Sequence, residues 1–323
     1  MKEFKHTSWK HDTVLVEWDL GNECNQDCSY CPAVAKSGIF KNPDWDSVEI
    51  FAHKMLDYYD ELGKRVMVNI GGSGEPTIVP WLPNLLRLLN NRSGGVTLST
   101  NLSAPINWWS EHANLIKNVA VTVHYEYTTL HDIMEKLNLV AEQSRNISVA
   151  VPMIPSRFYA QLSDIEWFRN NTNYGPVPQI VFRDYTAGGE WTGYTDDQRE
   201  ILRSYHNIPS FKVDESKTPA SEPTSSIGTR APDPVLISTT VKTTTDVYLT
   251  EKDDHRCFTG WQCYAGIDTL CIDSRGYVRR GWCAQLGQTQ THMTQWAWDS
   301  SPVTCNMAWC RLGLDLLARK ISD

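Results

Sequence analysis

From Thr13 to about Asp184 the chain alternates short apolar, strand-like runs with longer stretches of mixed polarity. The runs Thr13–Trp18, Arg65–Ile70, Gly95–Thr100, Val119–Val123, Ile147–Val151 and Gln179–Phe182 predict strands. The stretches Val48–Leu62, Trp81–Asn90, Ile106–Ile116, Thr129–Glu142 and Ser163–Asn170 predict helices between them. Six short apolar strands alternating with helices specify an α/β chain, a parallel sheet with helices outside it. Right-handed crossovers curl such a sheet into a partial (β/α)6 barrel, an open TIM-like relative of the eight-stranded form.

After Asp184 the rhythm breaks. A helix is expected over Asp196–Tyr205, capped by Thr195. Residues 207–254 are rich in Pro, Ser and Thr and read as linker or insertion, with Val235–Thr250 as a Thr-rich hairpin or edge strands. Cys263 to Cys283 reads as a hairpin turning at Ser274-Arg275-Gly276, and Cys305 and Cys310 open a final helix. The expected division is a barrel at 1–184, a helix, linker and possible hairpin at 185–254, and a small cysteine-rich domain at 255–323.

In parallel β/α barrels the loops after the strand ends carry the chemistry. Cys24, Cys28 and Cys31 follow strand 1, and Gly71-Gly72-Ser73-Gly74-Glu75-Pro76-Thr77 follows strand 2. Ser99-Thr100-Asn101 ends strand 3, and His124-Tyr125-Glu126 follows strand 4. Pro152-Met153 follows strand 5 and Arg183-Asp184 follows strand 6. The polar and glycine-rich departures all fall on one rim.

The C-x3-C-x2-C spacing, with Tyr30 just before its last cysteine, places three thiolates on one short loop. Clusters of the [4Fe–4S] type usually take four cysteines, so three without a nearby fourth leave one iron open to another ligand. The competing reading is zinc or three buried thiols. Structural zinc wants a second Cys or His pair at similar spacing, and the next histidine, His53, stands alone.

Charge and cysteine usage sharpen this. The 323 residues are 41% hydrophobic, enough for a sizeable core, and carry a net charge of −8. The pI near 5.6 argues against a broad basic surface for nucleic acid. Nine cysteines, odd in number and unevenly spread, fit metal clusters better than disulfides in a reducing compartment. With no apolar leader after Met1 and no run of membrane-spanning length, a soluble cytoplasmic protein is expected. The 13 tryptophans have no explanation in the sequence.

The cysteine spacing with Tyr30 resembles the radical S-adenosylmethionine (SAM) superfamily. The resemblance implies that Cys24, Cys28 and Cys31 hold a [4Fe–4S] cluster whose fourth iron takes SAM. The reduced cluster then cleaves SAM to methionine and a 5′-deoxyadenosyl radical, which abstracts hydrogen from a substrate carbon. The stretch Gly72-Ser73-Gly74-Glu75 resembles the family's Gly-Gly-Glu-Pro motif, which implies a strand edge and a carboxylate for the SAM amino-acid group; the alternative is a tight turn with a solvated acid. Ser99 and Asn101 resemble ribose-binding residues, against an alternative of local turn and capping chemistry. Tyr30, His124, Met153 and Arg183 complete the candidate SAM contacts; His124 is equally a structural residue and Arg183 equally a surface ion pair.

Cys257 to Asp323 resembles the auxiliary-cluster extensions called SPASM or, when shortened, twitch domains. The glycine-to-Cys283 gap is two residues longer than the usual form. The resemblance implies an auxiliary [4Fe–4S] cluster held by Cys263, Cys283, Cys305 and Cys310, serving substrate binding or electron transfer. A four-cysteine zinc knuckle is the alternative. Cys257 is the reserve ligand, and Cys271 should point away from the core face of Leu270 and Ile272.

Extensions of this type often serve peptide modification, including thioether and carbon–carbon crosslinks; others act on small molecules. Barely twelve residues precede strand 1, so no separate peptide-recognition domain is expected there. Isomerisation of an amino-acid-modified thymine in DNA is a further possibility. A reductant such as flavodoxin or ferredoxin is implied. The non-enzymatic alternative is a metal-binding scaffold or electron carrier, for which an intact Glu75 and its glycine-rich loop would be superfluous.

Overall fold

The protein is described from a computed structural model, which covers residues 2–4, 12–180, 193–206, 257–283, 290–307, 310, 315 and 317–322. Six parallel strands form the frame: β2 (Thr13–Asp19), β3 (Arg65–Gly71), β4 (Gly95–Thr100), β5 (Asn118–Thr122), β6 (Asn146–Met153) and β7 (Val177–Ile180). They pair in chain order, with helices α1 (Trp45–Glu61), α2 (Leu82–Arg92), α3 (Ile106–His112), α4 (Met134–Gln143) and α5 (Phe158–Asn171) in the crossovers. This is the mixed α/β, partial-barrel arrangement expected from the apolar rhythm.

The period of two along each strand sorts the two faces. Val14, Val16 and Trp18 of β2, Val66, Val68 and Ile70 of β3, and Val149, Val151 and Met153 of β6 are buried in one core. They share it with Phe51, Met55 and Tyr59 of α1, with Leu85 and Leu89 of α2, and with Ile165 and Phe168 of α5. Trp18 meets Phe51 edge-on at 5.9 Å. The alternate positions, Glu17, Asp19, Asn69, Ser99 and Ala150, are half-buried and mostly polar, so the concave face is left open to chemistry.

α6 (Asp196–His206) begins where expected. Its Thr195 accepts from the Gln198 N–H at 3.3 Å while Gln198 Oε1 accepts from the Thr195 N–H at 3.0 Å, a reciprocal cap. Residues 207–254, including the Thr-rich stretch from Val235, lie outside the described residues.

The cysteine-rich segment is joined to the barrel. β9 (Thr269–Ile272) pairs parallel to β2, with Glu17 opposite Cys271 and Trp18 opposite Ile272. It covers what would be an open edge of the sheet. β10 (Tyr277–Arg279) and β11 (Thr291–His292) continue the sheet outward, antiparallel. The expected turn is present: Gly276 has φ +81°, and the Asp273 carboxylate accepts from the backbone N–H of Arg275 and Tyr277 at 2.9 and 3.0 Å. A second sheet runs β1 (Lys2–Phe4), β13 (Lys320–Ser322), β8 (Gln262–Cys263), β12 (Val303–Thr304), all antiparallel. Trp298 lies against α1, 5.4 Å from Phe51 and 4.9 Å from Tyr58, which accounts for one of the unexplained tryptophans.

Candidate functional site

The cysteine loop is held at its base by Asn22, which is fully buried. Its side-chain nitrogen donates to the Val34 carbonyl at 2.5 Å and to Ser37 Oγ at 3.0 Å, and its oxygen accepts from the Phe40 N–H at 2.9 Å. The loop after β3 lies against it backbone to backbone. The Glu75 N–H donates to the Glu23 carbonyl at 2.9 Å, and a Cβ on Gly74 would sit 2.4 Å from that same oxygen. Only glycine permits this approach.

The tip of the loop is clamped by the segment after β5. Tyr127 Oη accepts from the Asp27 N–H at 2.7 Å, and Glu126 accepts from the Ser29 N–H at 2.6 Å and from the Ser29 hydroxyl. Tyr30 Oη lies 2.6 Å from His124 Nδ1. Lys36 donates to the Cys28 carbonyl at 2.8 Å and pairs with Asp27. Glu126 was named on the rim without a role and Tyr127 was not named, because a polar residue after a strand looks alike whether it is solvated or bound.

Cys28 is buried, Cys24 and Cys31 half-buried. Burial above all pushes the Cys28 thiol up to about 11, with the charges of Cys31, Glu126 and Cys24 adding and a hydrogen bond from Tyr30 opposing. Burial also raises Cys24. These thiols are protonated at neutral pH and would release their protons to a bound metal. Three soft donors within electrostatic reach of one another suit iron–sulfur ligation. Among the described residues no three His, Cys, Asp or Glu side chains converge on a point as the ligands of one ion do. A cube is held from its corners, so its thiolates stand apart and need not converge.

The remaining candidates fall into three groups. Gly72 (φ +119°), Ser73 and Gly74 lie beside the cysteine loop as expected, with Gly72 against Asp19. Glu75 is 2% exposed and bound within its own surroundings. Its Oε1 accepts from the Thr77 N–H, the Thr77 hydroxyl and the Thr100 hydroxyl at 3.0, 2.6 and 2.7 Å, and its Oε2 accepts from the Asn101 N–H at 2.6 Å. Burial raises its pKa against the opposing pull of these bonds. Asn101 reaches the cysteine loop, donating to Asn25 Oδ1 at 3.0 Å with Cys24 Sγ at 3.9 Å, while Ser99 is half-buried on the concave face. Leu102 next to it has φ +57°, the one positive value at a non-glycine among the described residues, held by Thr100 Oγ1 accepting its N–H at 3.0 Å.

Burial lowers His124 to about 4, so it is a neutral imidazole partnered with Tyr30. Met153 departs from expectation: it shares the face of Val149 and Val151 and is fully buried in the helix-side core, so its side chain is not on the concave face. The parity of β6 decides this, since Pro152 takes the inward position. Arg183 lies outside the described residues.

The C-terminal thiols differ in burial. Cys263, Cys305 and Cys310 are buried and Cys283 half-buried. Burial first, then Asp315 and the other three thiols, raises Cys283 far above its ordinary value. Burial likewise pushes Cys310 up to about 12, with Cys263 and Cys305 adding and Lys320 opposing. The four sense one another. Cys257 is exposed beside Thr259, whose N–H and hydroxyl lower it. Cys271 is fully buried on the face opposite Leu270 and Ile272, packed with Leu15 and Leu317. Four soft donors within electrostatic reach of one another suit an auxiliary cluster, and Asp315, 2% exposed with no hydrogen-bond partner for Oδ2, joins them unforeseen. Because β10 runs back along β9, the chain leaves Arg279 towards the N-terminal end of β2. Trp282, next to Cys283, donates from Nε1 to the Glu17 carboxylate of β2.

Among solved structures the chain resembles anSMEcpe with bound AdoMet, at 11% identity and a TM-score of 0.53, over 88% of this chain and 76% of that one. It resembles anSMEcpe with bound AdoMet and the Cp18Cys peptide at 11% identity and 0.51, over 88% and 78%. A match to BtrN in complex with AdoMet and 2-DOIA, 14% identical with a TM-score of 0.32, spans 42% of this chain and only 56% of that one. The chain matches no protein-family model. It matches no curated protein either. The anSMEcpe likeness shows that the chain shares the fold of those AdoMet-bound structures.

Proposed function

We propose that this chain is a radical SAM enzyme in which Cys24, Cys28 and Cys31 hold a [4Fe–4S] cluster and SAM takes its open iron. The observation that carries this is the cysteine loop itself, bound to the segments after β3, β4 and β5 at the rim where a parallel barrel does its chemistry. When bound, the cluster supplies the electron that splits SAM into methionine and a 5′-deoxyadenosyl radical able to abstract hydrogen from carbon.

The chain's own residues do the rest. Gly72 and Gly74 keep the loop after β3 free of side chains where SAM backbone atoms would approach. Asn101 orients Asn25 beside Cys24. Neutral His124 fixes the Tyr30 hydroxyl without adding charge. Glu75 binds the Asn101 N–H, so it ties strand ends together and has one oxygen, Oε2, with capacity left for an ammonium group.

Cys263, Cys283, Cys305 and Cys310 hold an auxiliary [4Fe–4S] cluster in this reading. It would serve substrate binding or electron transfer. The reductant is external, of the flavodoxin or ferredoxin class. Peptides are the first substrates to try, because anSMEcpe carries one on the same fold; small molecules and amino-acid-modified thymine follow. Among the described residues no helix is long and apolar enough to cross a membrane.

The deciding experiment is anaerobic reconstitution with iron and sulfide, then SAM and dithionite. Formation of 5′-deoxyadenosine supports the reading, and deuterium passing into it from a labelled candidate identifies the substrate. Reconstituted protein that leaves SAM intact would point to the scaffold or electron-carrier alternative.

A further inference from the structure

We propose that Lys320 is the resident counter-cation of the auxiliary centre and sets how readily that centre accepts an electron. The inference rests on the reading of Cys263, Cys283, Cys305 and Cys310 as its ligands. The first observation is register. β13 pairs antiparallel with β8 so that Lys320 stands directly opposite Cys263. Directly opposed residues place their side chains on the same face, with Cβ atoms about 5 Å apart. The second is burial. A lysine ordinarily reaches water, yet Lys320 is 1% exposed.

Its ammonium donates to the carbonyls of Asp315 and Ala318, the latter at 2.6 Å, and lies 5.2 Å from the centre of the Phe258 ring. Burying a cation is costly unless nearby charge or dipoles compensate it. Its charge acts on Cys263, on Cys310 and on the buried Asp315 carboxyl, so it lies within electrostatic reach of thiols proposed to hold the cluster.

Four thiolates around a cube give a net negative centre, and one-electron reduction adds another negative charge. A fixed cation nearby stabilises the reduced state more than the oxidised one. Net charge and local environment are the levers that place iron–sulfur potentials. No bond is made or broken: the centre gains one electron from the reductant and returns it.

The test uses the full chain carrying Cys24→Ala, Cys28→Ala and Cys31→Ala, so that the auxiliary centre alone reports. It is reconstituted anaerobically, poised with dithionite and mediators, and read by low-temperature EPR of the reduced centre. Lys320→Gln should lower the ratio of reduced to oxidised centre at a given solution potential at least tenfold, which is 59 mV for a one-electron couple. Lys320→Arg, which keeps the charge, should stay near the parent ratio. Lys320→Met removes the charge while keeping the apolar stem, and serves where the Gln variant unfolds. An iron-replete neutral variant with the parent ratio overturns the inference and leaves the cluster reading standing. Loss of iron from both neutral variants with retention in Arg supports a required charge. Loss from all three makes Lys320 a packing residue and overturns it. A parent chain without any auxiliary centre removes the cluster reading itself.

Discussion

Among the described residues Asp268 is a heavily bonded carboxylate joining the barrel to the C-terminal segment, and its removal gives a worked test of how the two are joined. It is fully buried. Its Oδ1 takes the Lys64 ammonium at 2.8 Å and Arg319 Nη2 at 3.1 Å; its Oδ2 takes Arg319 Nε at 2.8 Å and the Arg319 N–H at 3.0 Å. Lys64 precedes β3, and Arg319 precedes β13 by one residue. Asp268→Asn keeps the volume but leaves two cations facing an amide. Breaking a buried pair by removing one partner costs about 3–5 kcal/mol. The lower end applies here because the Arg319 side chain is 22% exposed and recovers some hydration. With a urea dependence of about 3 kcal/mol per molar, the midpoint falls by about 1 M. Tryptophan fluorescence of the reconstituted protein reads the unfolding, and cluster absorbance reads the auxiliary site, which should bleach at lower urea because Arg319 sets the register of Lys320 against Cys263.

The pH dependence carries a sign. Burial pushes the Asp268 carboxyl up, but hydrogen bonds from Arg319 and Lys64 outweigh it and hold the group below its ordinary value. A depressed folded value means that the stabilisation is complete above the unfolded value near 3.8 and disappears as pH falls through the folded one. The penalty of Asp268→Asn should therefore be flat from pH 5 to 8 and shrink only in strong acid. A midpoint within 0.2 M of the parent, or a penalty that fades between pH 5 and 8, would refute the reasoning.

Three further outcomes are expected. Replacing Cys24, Cys28 and Cys31 by alanine should remove about half of the iron, given two clusters of four irons each, and abolish 5′-deoxyadenosine formation; the parent rate in the triple variant would end the radical SAM reading. Glu75→Gln deprives one of four buried donors of its acceptor, at about 1–3 kcal/mol in thermal stability, and should also weaken SAM tenfold or more by calorimetry; lowered stability with unchanged affinity confines Glu75 to its turn. Gly74→Ala forces a methyl onto the Glu23 carbonyl, an overpacking of about 1–3 kcal/mol, and should impair iron loading at the triplet while sparing the auxiliary thiols; intact loading at both sites would show that the loop after β3 yields freely.

The strand rhythm was legible because six inward and outward faces repeat the same parity. Boundaries were less so. The sixth strand was expected from Gln179 but begins at Val177, two residues earlier, because Pro178 is tolerated on an edge strand. The fourth helix was expected from Thr129 but starts at Met134, since Asp132 accepts from the Thr129 N–H and hydroxyl and forms a turn of its own. The pairing of β9 with β2 was not legible: every residue of β9 is buried, so it shows no alternation, and its partner lies some 250 residues away. Cys263, Cys283, Cys305 and Cys310 were named by family resemblance, but nothing in the sequence pointed to Asp315 or Lys320. A lone acid and a lone base carry no pattern until the fold brings them near the cysteines.

The contacts around the triplet argue that the fold, and not the metal, orders the loop. In small metal-folded domains the ligating segments have few other partners, so binding and folding are one event. Here the loop is joined at its base by Asn22, at its flank by Glu75 and Asn101, and at its tip by Tyr127, Glu126 and His124. Those partners come from segments after three successive strands, so the closure of the barrel sets the spacing of the thiols. The entropy of ordering the loop is then met during folding rather than on cluster assembly, at about 1–2 kcal/mol for each backbone residue held. The same economy explains why the clamps are polar. A loop presented to solvent and cofactor has no apolar face to bury, and hydrogen bonds to strand-end residues are the directional contacts available to it. Glycine at position 74 is the necessary complement, because the flank contact is made backbone to backbone and leaves no room for a side chain.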